Sequence, residues 1–437
     1  MMLQNVGNIL KIGDLKKKIL YTFAILIVYR IGTHVPLPGV NGRALLEYFN
    51  QMRGTVFGLY DMFVGGALSR AAVFGVGIMP YISASIILQL LTTTVPALER
   101  LHKEGEHGRR KIEQYTRYLT VLVAAIQASG VAVFLSRLTS PSGAPVVPNP
   151  GLGFFFTTII SLVAGTVFLM WLGEEISQRG IGNGISVIIF AGTLDSVPNE
   201  VMQTIRLVQS GTITPLTLIL VIAVILGATA AVVAVTEAQR RIPIHYARRV
   251  VGRKIYGGQT TYLPLTVNTA GVIPIIFAQA LLTFPNTITT FVSAPWVETF
   301  NQVFRPGNIV YDLIYGGLII FFAYFYTSIV MNPRDLADNL QRYSGFIPGI
   351  RPGQQTAEYI DRILSRIILP GAVFFALIAI LPFYLMRWAH VPFYFGGTRL
   401  LIIVGVALEL MQQVEAHLVM RQYEGLLKRG RIRGWRG

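Results

Sequence analysis

Gly77-Ile78-Met79-Pro80-Tyr81-Ile82 and Gly271-Val272-Ile273-Pro274-Ile275-Ile276 share the pattern G-x-x-P-x-I. Each leads into an apolar run, SASIILQLL (83–91) after the first and FAQALL (277–282) after the second. The pattern is short, and Gly and Pro are frequent in membrane helices. Its weight comes from where the two copies stand. Ten stretches are apolar over the roughly 20 residues that a bilayer-crossing helix needs. They lie near 19–36, 73–94, 116–136, 153–173, 183–198, 214–235, 267–287, 309–331, 363–385 and 399–419. Gly, Pro and polar residues interrupt the second and the fifth. The two copies of the pattern fall in the second and seventh stretches, each the second of a group of five. Five spans per half is an odd number, so the second half is inverted relative to the first, as in an inverted-topology repeat. The expected halves are 1–205 and 206–437.

Composition agrees with a polytopic membrane protein. Of 437 residues, 53% are apolar and only 13% are charged, about half the charge of a soluble domain. Mean hydropathy is +0.56. This excludes a soluble multidomain enzyme and a disordered chain. There are no cysteines, so disulfides, thiol catalysis and Cys-ligated metals are excluded. The six histidines form no H-x-x-x-H pair. The basic N-terminus (Lys11, Lys16, Lys17, Lys18) leads into the first apolar run. Many such runs follow, and we read the first as a retained span rather than a cleaved signal.

The net charge of +16 is explained by topology. With both termini inside, the cytoplasmic segments hold 28 Lys and Arg and the outer segments 8, with Arg30 inside the first span. That asymmetry sets the orientation. Three inner loops are long for connectors: 95–117, 236–266 and 332–366. The second is purely basic after Glu237, and the third contains G-F-I-P-G-I-R-P-G. Two readings fit such loops: topology determinants, or a docking surface for a cytoplasmic partner or anionic headgroups.

Residues 54–72, GTVFGLYDMFVGGALSRAA, are Gly-rich and too polar to face lipid. They form either an ordinary outer loop or a short helix folded back into the protein. The spans are nearly empty of ionisable groups. Arg30, Asp195, Asp312 and Glu415 stand near ends, and Glu409 alone lies well inside a span. One carboxylate is poor support for a proton relay. No Walker A, nucleotide fingerprint, catalytic dyad or TVGYG-like filter appears. The residues point to a passive pathway or scaffold, with no catalytic residue, metal or cofactor. An inverted-repeat secondary transporter using Glu409 is the alternative.

GIMPYISASIILQLL (77–91) closely resembles the signature of the SecY family, the central subunit of the protein-conducting channel. So do KEGEHGRRKIEQYTRY (103–118), ISQRGIGNGISVIIFAG (176–192), EAQRRIPIHYARR (237–249) and LPLTVNTAGVIPIIFA (263–278). NPRDLADNLQRYSGFIPGIRPGQQTAEYID (332–361) and the tail RQYEGLLKRGRIRGWRG (421–437) continue the match. The resemblance implies an all-α fold of ten transmembrane helices in two inverted halves around an hourglass pore, with a short re-entrant plug helix. It implies a multi-pass protein of the cytoplasmic (inner) membrane with both termini cytoplasmic. The implied partners are SecE, SecG, the SecA ATPase, the ribosome, signal peptides, nascent or precursor polypeptides and membrane lipid.

By motif match, the resemblance implies a pore ring of Ile82, Ile86, Ile185, Ile189, Ile276 and Ile402. Ile82 with Ile86 and Ile185 with Ile189 are four apart, so each pair shares a helix face. Without the resemblance, plain core packing explains the same isoleucines. The plug implied is about 58–72, with Leu59, Tyr60, Met62, Phe63, Gly65, Gly66 and Leu68. Gln89, Gln127 and Asn268 are the polar candidates for a lateral gate between spans two and three and spans seven and eight; interhelical hydrogen bonding is the other reading. Arg240, Arg241, Arg248, Arg249, Arg253, Lys254 and Arg351 are the candidate contacts to SecA or the ribosome, against the reading of solvated topology charge.

Overall fold

The computed structural model of the chain describes residues 13–51, 61, 64–141, 143–195, 197–211, 214–246, 249–251, 254–256, 260–289, 302–389 and 397–429. In the N-terminal part the helices are α1 (Gly13–Gly32), α2 (Gly42–Gln51), α3 (Met79–Thr94), α4 (Pro96–Lys103) and α5 (Glu106–Arg137). These are followed by α6 (Leu152–Arg179), α7 (Gly184–Asp195) and α8 (Val197–Gln209). Then come α9 (Pro215–Glu237), α10 (Ile273–Thr289), α11 (Ile309–Val330), α12 (Pro333–Arg342), α13 (Gln354–Ala389) and α14 (Thr398–Arg429).

A helix stands at each of the ten apolar stretches. Among the described residues, seven helical stretches are long and apolar enough to cross a membrane, or eight if α3 and α4 form one broken span. α1 carries Lys16, Lys17, Lys18 and Arg30 within its 20 residues, and the apolar part of α10 is short, Ile273–Thr283. Local chemistry sets the helix starts. Asn308 and Asn332 accept the backbone N–H groups of Val310 and Arg334, and Thr214 accepts that of Thr217. Pro215 and Pro333 follow directly, where a missing N–H costs nothing. The chain turns by 97° between α3 and α4 at Val95, held extended by Pro96 behind it.

The chain divides into two compact units. The first comprises Met1–Pro198, Thr283–Glu298 and Val406–Gly437; the second comprises Asn199–Leu282 and Thr299–Gly405. In the first unit α5 packs on α3 and α6. Ala124, Ala128 and Ala132, four residues apart on α5, are fully buried, and such small residues let membrane helices approach closely. An outer cluster joins α2 to later segments: Leu45 and Phe49 pack with Leu68, Ala71, Val76, Leu135 and Val146. Burial of Tyr48 beside this cluster pushes its phenol above the usual tyrosine range.

In the second unit α11 packs on α13. The expectation of an all-α fold is corrected here, because the fold is mostly helical. Strand β1 (Gln239–Tyr246) pairs antiparallel with β4 (Thr260–Thr266), with Ile242 opposite Leu263, and with β5 (Gly345–Phe346) at its far end. β2 (Arg249–Val251) and β3 (Lys254–Tyr256) form a separate hairpin. The cause is period-2 alternation in β1. Ile242 and Ile244 are buried, while Arg241, Pro243 and His245 are exposed. Their buried face meets Leu265, Ile347, Ile360, Leu364 and Ile368, so the sheet stands on the first turns of α13.

Candidate functional site

The six isoleucines that the resemblance names are divided between the units, four in the first and two in the second. On α3, Ile82 and Ile86 are both buried. On α7, Ile189 is buried and Ile185 half-buried. In the second unit, Ile276 on α10 and Ile402 on α14 are buried.

The two G-x-x-P-x-I copies have the same backbone. Gly77 has φ +63 and Gly271 has φ +62, the left-handed conformation that suits glycine. Two residues later α3 and α10 begin, each with its proline as the second residue. One local device therefore opens both helices and sets Ile82 and Ile276 at equivalent places on them.

The described part of the 58–72 segment is Asp61 and residues 64–72; Leu59, Tyr60, Met62 and Phe63 lie outside the described residues. Residues 64–71 are built of turns. The Asp61 carbonyl accepts the Gly66 N–H at 2.8 Å, and its carboxylate accepts the Ser69 N–H at 2.8 Å. Gly65 and Gly66 are left-handed, with φ +68 and +72. Gly65 lies against α7: a Cβ there would stand 3.3 Å from the Gly192 Cα and 2.9 Å from the Tyr29 hydroxyl. The Tyr29 hydroxyl faces the Val64 carbonyl at 3.4 Å. Leu68 is buried in the outer cluster. Two strand-like hydrogen bonds, Leu37 N–H to Ala71 and Val73 N–H to Val35, fasten the end of the segment to the chain after α1.

The gate candidates fall in both units. Gln89 on α3 donates to Ser85 at 3.1 Å, and Gln127 is buried on α5. Asn268 stands half-buried between β4 and α10. Of the basic candidates, Arg240 and Arg241 are exposed on β1. Arg249 and Lys254 belong to β2 and β3, and Arg248 and Arg253 lie outside the described residues. Arg351 is exposed in a turn between left-handed Gly349 (φ +81) and Gly353 (φ +99). The Thr356 hydroxyl donates to its carbonyl at 2.9 Å. The β1–β5 pairing ties this loop to the 236–266 loop in one sheet. Glu409, the one carboxylate well inside a span, is hydrogen-bonded by the Asn183 backbone. Next to it, Gln413 accepts the Gly182 N–H at 2.7 Å, so this part of α14 braces the turn before α7.

Sequence reasoning missed three features. The sheet had a readable signal, the alternation in RIPIHY (241–246). Asp195 pairs with both Arg30 and Arg70, and Arg399 pairs with Glu200. Neither pairing had a local signal, because the partners are far apart in the chain.

Comparison with known proteins agrees with this architecture. The SecY family model matches residues 72–411. The chain is 48% identical to the protein translocase subunit SecY of Aquifex aeolicus over 420 residues, covering 96% of this chain and 98% of that protein. It is 47% identical to that of Escherichia coli over 428 residues, covering 97% and 96%. In fold it is similar to a solved protein-conducting channel, with a TM-score of 0.64 at 16% identity over 92% of this chain and 93% of that one. It is also similar to Sec61 in the canine ribosome-channel complex, with a TM-score of 0.60 at 16% identity over 92% and 93%. With the family model spanning most of its length and close relatives matching nearly all of it, this chain belongs to the SecY family of protein translocase channel subunits.

Proposed function

We propose that this channel subunit passes unfolded secretory polypeptides across the cytoplasmic membrane through an hourglass pore closed by Ile82, Ile86, Ile185, Ile189, Ile276 and Ile402. As a SecY subunit it is a non-enzymatic translocase component and a multi-pass membrane protein. The ten helices act as ten spans in two inverted halves, 1–205 and 206–437. The matched Gly77 and Gly271 conformations support that reading.

The observation that carries the proposal is an aliphatic side chain at every ring position, buried at five and half-buried at Ile185, in a chain with full-length translocase similarity. A narrow apolar constriction sheds water and so blocks ions. It offers no fixed ligand geometry, so it fits loosely around any passing side chain. The 58–72 segment is the plug of the idle channel. Gln89, Gln127 and Asn268 line a lateral gate through which apolar signal sequences and membrane helices pass into lipid, with hydrophobicity deciding their fate.

The driving partners dock on the cytoplasmic side, where both termini lie. Arg240, Arg241, Arg248, Arg249, Arg253, Lys254 and Arg351 meet acidic surface on the SecA ATPase and phosphates of ribosomal RNA. The sheet that joins both loops supports one shared docking platform. SecE and SecG complete the heterotrimer. The transporter alternative falls with family membership, and Glu409 has a structural task beside Asn183.

The test is proteoliposome translocation of a secretory precursor by this chain with SecE, SecG, SecA and ATP. A cysteine in the precursor is crosslinked to cysteine placed at Ile86 or Ile276; the chain has none of its own. ATP-dependent protection with crosslinks at both sites is the expected result. Protection without those crosslinks removes the ring assignment and keeps the channel.

A further inference from the structure

We propose that Asp195 is a charge latch that holds the 64–72 segment on α7 by bridging Arg70 of that segment to Arg30 of α1. This deepens the plug reading above and rests on it only for the consequence to ion flow.

Asp195 is the last residue of α7, and its side chain is 14% exposed. It pairs with Arg30, in the last turn of α1, and with Arg70 Nη2 at 3.6 Å. The Arg70 guanidinium also reaches back to the Gly65 carbonyl at 3.4 Å. One carboxylate thus meets two guanidiniums, one from a fixed helix and one from the turn-built segment. Without the carboxylate, two positive charges would face each other across the place where the segment joins α7. The interaction then changes from attraction to repulsion, which makes Asp195 more than a tether.

Other contacts give the segment its position. Gly65 approaches the Gly192 backbone, and Leu68 and Ala71 enter the outer cluster. Of these shape contacts, only that of Gly65 is on the end of α7; Leu68 and Ala71 pack among residues of α2, α5 and α6. Asp195 adds the electrostatic part, and it stands on the helix that carries Ile185 and Ile189. Ile189 is less than two turns before Asp195. A polypeptide that displaces Ile185 and Ile189 shifts α7, and with it the carboxylate that Arg70 grips. Widening at the isoleucines and release of the segment are then mechanically coupled through one rigid helix, and Asp195 positions the segment without touching the passing chain.

The experiment uses the full chain reconstituted with SecE and SecG, and a single reporter cysteine at Leu68→Cys, since the chain has none. The readout is the labelling rate of that cysteine by a membrane-impermeant thiol reagent applied from outside, with idle ion conductance measured in parallel. Asp195→Asn keeps the shape and removes the charge, and Arg70→Gln breaks the latch from the other side. We expect Asp195→Asn to raise the labelling rate on the order of fivefold, Arg70→Gln to raise it less because no repulsion is left behind, the double variant to fall back to the Arg70→Gln rate, and Asp195→Glu to keep the slow rate. Unchanged labelling in either folded single variant overturns the latch. Arg70→Gln decides alone if Asp195→Asn does not fold. Faster labelling with unchanged conductance supports the latch and removes the seal role from the segment. A leak in the isoleucine-ring variant with unchanged labelling in Asp195→Asn leaves the ring reading intact and overturns the latch.

Discussion

Arg399 at the start of α14 donates through one guanidinium nitrogen to both carboxylate oxygens of Glu200 on α8, at 2.7 and 2.8 Å. The arginine side chain is only 2% exposed and the glutamate 13%. Three residues after Arg399 stands Ile402, and Thr398 just before it shares a 2.6 Å hydrogen bond with the Tyr315 hydroxyl of α11. The start of α14 is therefore held by buried polar contacts to two helices, and the depth at which Ile402 sits is set by them.

Removing one member of a buried ion pair costs about 3–5 kcal/mol. Glu200→Ala is expected to lower the thermal midpoint of the purified protein sharply. Joining it with Arg399→Met recovers much of the loss, because the buried cation goes with its carboxylate. A double variant as unstable as Glu200→Ala would argue that packing, not charge, holds this helix start.

The left-handed glycines are expected to differ in tolerance. A side chain at such a φ costs roughly 1–2 kcal/mol, which applies to both Gly77→Ala and Gly271→Ala. At Gly77 the added Cβ would also lie 3.0 Å from both methyl carbons of Val64, whereas at Gly271 it meets nothing within 4 Å. Thermal unfolding should rank Gly77→Ala as the more destabilised of the two. Because Val64 belongs to the segment that Asp195 latches, the Gly77 variant should also label faster at Leu68→Cys.

Polar replacement of the ring admits water. Ile82, Ile86, Ile185 and Ile189 changed together to Ser are expected to raise idle ion conductance at least severalfold while precursor translocation continues. Planar-bilayer recording of the reconstituted channel measures it, and a conductance equal to that of the unaltered channel counts against the ring.

The sheet of the 236–266 loop should matter to the proposed docking through its core. Leu265 on β4, opposite Arg240 of β1, is fully buried, so Leu265→Ala costs roughly 2–5 kcal/mol locally. We expect SecA-driven translocation to fall with every basic residue still present. Charge loss at Arg240 and Arg241 should weaken binding in a salt-dependent manner, whereas the Leu265 effect should persist at all salt concentrations. Translocation assays across a salt series separate the two.

Much of this protein was legible before any fold was known. Ten apolar stretches, the charge asymmetry of their connections and the repeated Gly and Pro pattern depend on short-range properties: bilayer thickness, local charge and backbone preference. The helix at each stretch and the left-handed Gly77 and Gly271 follow from those same local rules. The sheet was within reach, since Ile242 and Ile244 alternate with exposed neighbours, but its partners were not: Phe346 pairs with His245 from beyond α10 and α11. Asp195 read only as an uncertain helix end until folding set it between Arg30 and Arg70. Glu200 and Arg399 are 199 residues apart, and nothing local to either one names the other. Hydropathy decides which segments enter the membrane, whereas the pairing of distant polar groups is decided only when packed helices exclude water and leave each charge the few partners within reach.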